Sequence, residues 1–204
     1  MVGQLRRRLG VHFYYMLVHP LRAAPRTQAP CGLDYRVLDD VLLVAHCADP
    51  QLGLRESTSR AALAAGDVCV GALQQGRLAA YAWYSFGSAR QADDVRVEFG
   101  PRVRYTYKFH VHPDERGRGV GRELLSRGAQ LVPRRGRDLD LSFVAPDNRA
   151  SLRAFTAAGW HRAGYAGYAK GLGGFAAFTS AAAARLEARF VHSKSGSEPE
   201  FALR

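Results

Sequence analysis

At 204 residues, 47% of them hydrophobic, the chain is long enough to enclose a full core and falls within the range of a single domain. Its 29 Lys and Arg outweigh 18 Asp and Glu, a net charge of +11, which points to an anionic partner: nucleic acid, a membrane surface, an acidic carrier protein or an acidic small molecule. Cys31, Cys47 and Cys69 are odd in number, widely spaced and without His at ligand spacing, which argues against a disulfide framework or a zinc site and for buried thiols in a reducing compartment.

In chain order, Arg6, Arg7 and Arg8 precede an apolar run from Leu9 to Val18 that superficially resembles a short signal peptide. The run is too short to span a bilayer, is interrupted by His12, Tyr14 and Tyr15, and leads into His19-Pro20-Leu21-Arg22, where a cleavage region is small and neutral. Two readings stay open: an interfacial segment resting on anionic lipid through Phe13, Tyr14, Tyr15 and the arginines, or a strand or helix docked on the domain. Pro20, Pro25, Pro30 and Gly32 punctuate a linker, so residues 1–32 are expected to form an arm ahead of a folded domain spanning 33–170.

Tyr35–Leu38 reads as a short strand, and Asp39 or Asp40 as the cap of a helix carrying Val41, Leu42, Val44 and Ala45 before Asp49-Pro50 ends it. Leu54–Ala65 reads as a second helix, stopped by Gly66-Asp67. Val68–Leu73 and Leu78–Phe86, separated by Gln74-Gln75-Gly76-Arg77, predict an antiparallel hairpin. Gly87–Pro101 is polar, carries Asp93, Asp94 and Glu98, and reads either as a long loop or as a short strand around Val95–Phe99.

From Arg102 to Val111 a strand is predicted, with Val103, Tyr105, Tyr107, Phe109 and Val111 on one face and Arg104, Thr106, Lys108 and His110 on the other. It runs into Pro113, Gly117, Gly119 and Gly121, after which Leu124, Leu125, Gly128, Ala129, Leu131 and Val132 recur at helical spacing. A strand at Leu139–Ala145, a helix at Arg149–Ala158 with Asn148 as N-cap and Gly159 as stop, and a strand from Trp160 to about Lys170 complete a mixed α/β pattern. Residues 171–192 are expected to be a partly helical extension and 193–204 a disordered tail.

The segment Arg116-Gly117-Arg118-Gly119-Val120-Gly121 presents successive backbone N–H groups, freed by glycine, at the positive end of the helix that follows. That is an anion site, and its two arginines add charge-assisted bonds suited to a diphosphate. The register is neither the G-x-G-x-x-G of dinucleotide folds nor the G-x-x-x-x-G-K-[ST] of the P-loop. A disordered Arg/Gly RNA-binding segment lacks an ordered strand before it and an amphipathic helix after it, and a purely structural turn is the bland alternative.

Val111-x-Pro113-x-x-Arg116-Gly117-x-Gly119-x-Gly121 resembles the central motif of the GNAT acyltransferases, R/Q-x-x-G-x-G/A following a strand, and Asn148 through Trp160 resembles the family's downstream asparagine, helix, glycine, aromatic segment. The resemblance covers about Leu33 to Lys170 and implies a central, mostly antiparallel sheet flanked by helices and splayed between two adjacent parallel strands, Arg102–Val111 and Leu139–Ala145. It further implies an acetyl-CoA or other acyl-CoA cosubstrate and no metal. By position, Phe109, His110 and Val111 line pantetheine, Arg116, Gly117, Arg118, Gly119, Val120 and Gly121 hold the pyrophosphate, Asn148 and Phe155 flank the thioester, and the Val111 backbone amide is the expected oxyanion donor.

Two departures from the family pattern bear on catalysis. Phe155 stands where many members carry a tyrosine whose phenol protonates the leaving thiolate, and Tyr105 stands near the place of a frequent glutamate base. Tyr105 and Tyr107 are therefore the leading catalytic candidates, with His110 and Glu98 behind them; each reads alternatively as a core or surface residue. The basic run Arg134, Arg135 and Arg137 reads as solvated surface, as a contact to the adenosine 3′-phosphate, or as a dock for an acidic carrier protein.

The implied activity is N-acetyl transfer from acetyl-CoA to a primary amine of a small molecule or sugar by direct attack, in the cytoplasm. The alternatives are long-chain N-acyl transfer from acyl-CoA or acyl carrier protein at the inner face of a membrane, and a non-catalytic CoA-binding module. Nucleic-acid binding explains the charge and leaves the paired motifs unexplained.

Overall fold

A computed structural model of the chain describes residues 10–21, 32–92, 94–171 and 174–193; Arg6–Arg8, Cys31, Asp93, most of the proline linker and the tail from residue 194 lie outside them. The described chain forms an eight-stranded sheet, a small three-stranded sheet and five helices. The strands are β1 (Val11–Pro20), β2 (Asp34–Leu38), β3 (Val68–Gln74), β4 (Arg77–Ser85), β5 (Ala89–Ala92), β6 (Val95–Glu98), β7 (Val103–Val111), β8 (Leu139–Val144), β9 (His161–Gly171), β10 (Gly174–Thr179) and β11 (Arg189–His192). The helices are α1 (Asp40–His46), α2 (Glu56–Ala64), α3 (Val120–Leu131), α4 (Arg149–Ala157) and α5 (Ala181–Arg185).

The large sheet runs β10-β9-β1-β8-β7-β4-β3-β2. Every pair is antiparallel except β7 and β8, which run parallel as expected. Local chemistry explains the element ends. The Asp39 side chain accepts from Leu42 N to start α1, Asn148 accepts from Ser151 N to start α4, and Gly159 at φ 86° lets the chain leave α4.

The N-terminal segment corrects the domain boundary placed at residue 33. Instead of an arm outside the domain, β1 is an interior strand, hydrogen-bonded to β8 on one side and β9 on the other. Met16, Leu17 and Val18 are at most 4% exposed, and Leu21 is fully buried. Of the aromatics on which a membrane contact rested, Phe13 stacks on Tyr165 and Phe178, Tyr14 stacks on Tyr168 and meets Phe190 of β11 at a tilt, and Tyr15 lies edge-on to Phe13 and under the Arg162 guanidinium. Met16 to His19 are buried within the sheet and Val11 to Tyr15 are half-buried, so sheet neighbours cover much of this apolar segment.

The region from Gly87 to Pro101, open between loop and strand, holds both β5 and β6, and these join β11 in the second sheet. Among the described residues, the extension after residue 171 is mainly strand, with the five-residue α5 helical. Val95, Val97 and Phe190 of the small sheet pack on Tyr105, Leu141, Phe143, Met16 and Tyr168. On the same face, α1 and α2 cover the β2–β4 half through Leu43, Leu52, Ala62, Tyr81 and Trp83. The opposite face carries α3 over β3 and β4, and α4 over β1 and β8. Gly128 permits the α3 contact, because a Cβ there would fall 1.8 Å from the Tyr84 hydroxyl.

Candidate active site

Strands β7 and β8 pair at only three register positions, Val103 with Leu139, Arg104 with Asp140 and Tyr105 with Leu141, and then separate. The last stretch of pairing is reinforced from within. Arg104 donates through Nε to Asp140 Oδ1 at 2.6 Å, through Nη2 to Oδ2 at 2.8 Å and through Nη1 to the Val132 carbonyl at 2.7 Å, all fully buried. Burial pushes the Asp140 carboxyl up and Arg104 opposes the shift, while the three hydrogen bonds satisfy the guanidinium on three sides.

Above this bridge, strict alternation along β7 fails. Lys108 has φ 50°, and the β4–β7 register shifts between Tyr81 and Trp83, so β7 bulges at Lys108. The single face predicted for Val103 through Val111 is thereby divided. Val103, Tyr105 and Tyr107 face the small sheet, whereas Phe109 and Val111 turn to the α3 side with Val120 and Leu124. The bulge aims Phe109 at the gap, edge-on to Phe155 at 5.4 Å, and Phe155 is itself edge-on to Trp160 at 4.7 Å.

The glycine loop follows directly. His112 is buried, its Nδ1 accepts from Asp114 N at 3.3 Å and its Nε2 lies 3.4 Å from Asp49, which pins the short turn Pro113–Glu115. Gly117 and Gly119 adopt φ 78° and 80°, and Gly121 sits where a Cβ would meet Phe109 Cζ at 2.7 Å. The loop can thus wind tightly onto the start of α3 while the first turn of that helix lies flat against β7. Glu123 N is the first amide to bond back within the helix, to Gly119, so the amides ahead of it point out at the loop's mouth.

Two adjoining cavities occupy the space between β7 and β8, with Phe109, Asn148 and Ser151 lining both. A cavity of about 720 Å³ is lined by Phe109, His110, Val111, Arg116, Gly117, Gly119, Val120, Gly121 and, across the gap, Asn148 and Ala154. A smaller one of about 210 Å³ runs through the splay past Phe109, Phe155, Asn148, Ser142 and Ser151 to Tyr14, Arg90, Gln91, Tyr105, Tyr107 and Lys108 on the far face. The larger cavity has the volume of a nucleotide-sized ligand, and its amide-rich end matches a diphosphate. These residues therefore fit a CoA thioester, whose pantetheine arm is narrow enough for the gap.

Most of the residues singled out by sequence converge here. Arg116 donates Nε to the Val111 carbonyl at 3.1 Å and lines the large cavity, but Arg118 is turned away, paired with Glu115 at 2.7 Å. Phe155 lines the splay rather than the phosphate end. Glu98 is outside the site, forked by Arg189 at 2.8 and 3.1 Å. His110 stacks on Tyr81 at 5.6 Å, its Nε2 is buried without a hydrogen-bond partner among the described residues, and burial followed by the Arg116 charge lowers its proton affinity.

The tyrosines differ sharply. Tyr105 is 2% exposed and burial raises its phenol well above the ordinary range. Tyr107 stacks parallel to it at 6.0 Å and donates its hydroxyl to Asp67 Oδ2 at 2.5 Å. Burial raises the Asp67 carboxyl and the Tyr107 hydrogen bond opposes that rise; burial and then Asp67 raise the Tyr107 phenol. The sequence reading took Asp67 only as a helix stop and passed over Arg90, Gln91 and Ser142, because no local pattern ties the α2–β3 turn or the β5 strand to β7.

The model of the Acetyltransferase (GNAT) family matches residues 39–160. No curated protein matches the chain significantly. Among solved structures, a GNAT-family protein of Novosphingobium aromaticivorans is similar at 17% identity and a TM-score of 0.51, over 90% of this chain and 66% of that one. The GCN5-related glucosamine N-acetyltransferase region of a fungal multi-domain β-N-acetylglucosaminidase is similar at 16% and 0.53, over 87% and 22%. A GCN5-related N-acetyltransferase of Kribbella flavida is similar at 11% and 0.50, over 96% and 64%. The chain thus spans about two thirds or less of each of these proteins, and at such identities the likeness is one of fold.

Proposed function

The chain belongs to the GNAT acetyltransferase family, and from that premise we propose that it transfers an acetyl group from acetyl-CoA to a primary amine of a small molecule by direct attack in a ternary complex. The observation that carries the reading is that the cavity at the glycine-loop amides and the one through the β7–β8 splay adjoin, with Phe109, Asn148 and Ser151 lining both. Donor and acceptor enter from opposite sides and meet at the Lys108 bulge. Holding both in one passage supplies most of what aminolysis of an already reactive thioester needs.

The cosubstrate supplies an activated carbonyl; the chain supplies position, charge stabilisation and proton handling. The amides of the Gly117–Gly121 loop with Arg116 hold the diphosphate. Phe109, Phe155 and Trp160 exclude water around the thioester carbon. The Val111 amide is the assigned donor to the carbonyl oxygen as charge gathers there.

The acceptor enters past Tyr107. Its ammonium gives one proton to the Tyr107 oxygen as the phenol passes its own to Asp67, and the freed nitrogen forms a C–N bond as the C–S bond breaks, its second proton passing to solvent. CoA departs as thiolate. Phe155 offers it no proton, and a thiolate of ordinary pKa leaves near neutral pH without one. The small volume of the splay, about 210 Å³, favours a short acyl group over a long one.

The test is calorimetric titration with acetyl-CoA, decanoyl-CoA and free CoA, followed by thiol release against a panel of amines. Tight acetyl-CoA binding with turnover is expected; tighter binding and faster transfer of the decanoyl group would favour the long-chain reading, and no CoA binding would sink both.

A further inference from the structure

Helix α4 turns one stripe of side chains to the gap between β7 and β8. Phe155 meets Phe109 edge-on at 5.4 Å, and side chains four residues apart on a helix share a face, so Ser151 stands on the same stripe, one turn nearer the start of α4. Its place along the gap is equally defined. The cavity at the glycine loop and the one through the splay share Phe109, Asn148 and Ser151 in their linings, and of these three Ser151 alone carries a hydroxyl. That hydroxyl is uncommitted. The Ser151 amide donates to Asn148 Oδ1 at 3.1 Å, which fixes the residue in the first turn of α4, whereas its Oγ makes no hydrogen bond among the described residues.

Position in the helix explains the free donor. A serine deeper in a helix turns its hydroxyl back on the carbonyl four residues earlier, as Ser126 of α3 does to Arg122 at 3.2 Å. Four residues before Ser151 is Asp147, which precedes the Asn148 cap and whose carbonyl accepts from Arg149 N at 2.9 Å. The free hydroxyl also coincides with the charge for which Phe155 offers nothing. The diphosphate end of the cosubstrate belongs in the larger cavity and the amine arrives through the smaller, so the thioester carbon and its sulfur lie where the two adjoin. When the C–S bond breaks, its electron pair goes to sulfur, in surroundings made by Phe109, Phe155 and Trp160. Those rings solvate an anion poorly, and a hydrogen bond to it there gains more than the same bond in water.

We propose that the Ser151 hydroxyl donates a hydrogen bond to the CoA sulfur as the thiolate forms. This rests on the acetyl-transfer reading and deepens it by naming the group that holds the leaving charge. The proton stays on Ser151, because an alcohol holds its proton far more tightly than a thiol, and solvent protonates the sulfur afterwards. A thioester sulfur is uncharged and a weak acceptor, so the same hydroxyl does little for bound acetyl-CoA. The interaction is therefore made late in the reaction and in the product complex, where it raises kcat without tightening the hold on the donor.

Calorimetry compares free CoA, acetyl-CoA and desulfo-CoA, in which hydrogen replaces the thiol, on the wild-type protein, Ser151→Ala and Ser151→Thr, at about pH 7 and about pH 9.5, on either side of an ordinary thiol pKa. In the wild type the advantage of CoA over desulfo-CoA should grow by about tenfold between the two, as the thiol ionises and the charge-assisted bond forms. Ser151→Ala should lose that gain while its affinities for acetyl-CoA and desulfo-CoA stay within about twofold of wild type, and Ser151→Thr should keep most of it. The alanine leaves the backbone bond to Asn148 in place, so α4 keeps its cap. With the amine that turns over best, kcat of Ser151→Ala should fall by about tenfold at unchanged KM for acetyl-CoA. The proposal is overturned if the wild type shows no such gain at high pH, if the gain persists in Ser151→Ala, or if that variant weakens all three ligands equally. Failure of the wild-type protein to bind any of the three would instead overturn the acetyl-transfer reading beneath it.

Discussion

Replacing Arg104 by Met tests whether the splay is built on the ion pair below it. The guanidinium is completely buried and makes three hydrogen bonds, two to Asp140 and one to the Val132 carbonyl. Without it, Asp140 remains as a buried carboxylate already destabilised by desolvation, with only the charge of His19 to favour ionisation, and the Val132 carbonyl loses its donor. Breaking one side of a buried pair costs about 3–5 kcal/mol, and at about 2–4 °C per kcal/mol for a domain of this size Tm should fall by roughly 6–20 °C. The deficit should depend on pH. A carboxyl that holds its proton more tightly folded than unfolded loses stability as pH rises through that interval, so the variant should be closer to wild type at pH 5 than at pH 8. Arg104→Met/Asp140→Leu should recover most of the loss, since no lone charge is left. Circular dichroism melts and urea unfolding at both pH values check this. A deficit under about 1 kcal/mol, or a double variant no more stable than the single one at pH 8, would refute the reasoning.

Gly119→Glu should abolish acetyl-CoA binding in calorimetry, because φ 80° strains any side chain there and the new carboxylate faces the diphosphate; unchanged affinity would remove the loop from the site. Asp67→Asn should cut kcat by about a hundredfold and remove the rise in rate as pH climbs through the elevated Asp67 pKa, while Tm at pH 8 stays level or increases because an ionised buried acid is gone; an unchanged pH profile counts against the relay. Removing residues 1–20 should eliminate the cooperative melt: Met16, Leu17 and Val18 alone bury about 5–9 kcal/mol of apolar surface, comparable with the whole stability of a domain, and the edges of β8 and β9 are left open. A soluble fragment beginning at residue 33 that melts cooperatively would contradict the placement of β1.

Legibility in the sequence followed the range of the interactions. Asn148, Gly159 and Asp39 announce helix ends because a cap is made within three residues, and the β3–β4 hairpin is announced by its own turn. Residues 11–20 look like a detached arm because proline punctuation follows them, yet their partners are β8 and β9, more than a hundred residues away. Nothing local distinguishes an apolar decapeptide bound for the middle of a sheet from one bound for a lipid surface. The same limit hid the second sheet, whose strand β11 joins β6 only through Arg189 to His192 pairing with Val95 to Glu98.

At the site, the glycine loop was legible because one contiguous segment both carries the amides and starts the helix that orients them. The acceptor side was not, because it is assembled at a place where alternation breaks. A period-two reading of β7 sends Lys108 to the face opposite Tyr107 and keeps Phe109 beside it; the positive φ at Lys108 lets the strand carry Tyr107 to the acceptor side and Phe109 to the α3 side of the same gap. In the proposed function, that one irregularity lets a single strand serve both substrates. Below it, the buried Arg104–Asp140 pair holds β7 and β8 together; above it, the strands separate, and in the proposed reaction thioester and amine approach each other through the sheet rather than along one face of it.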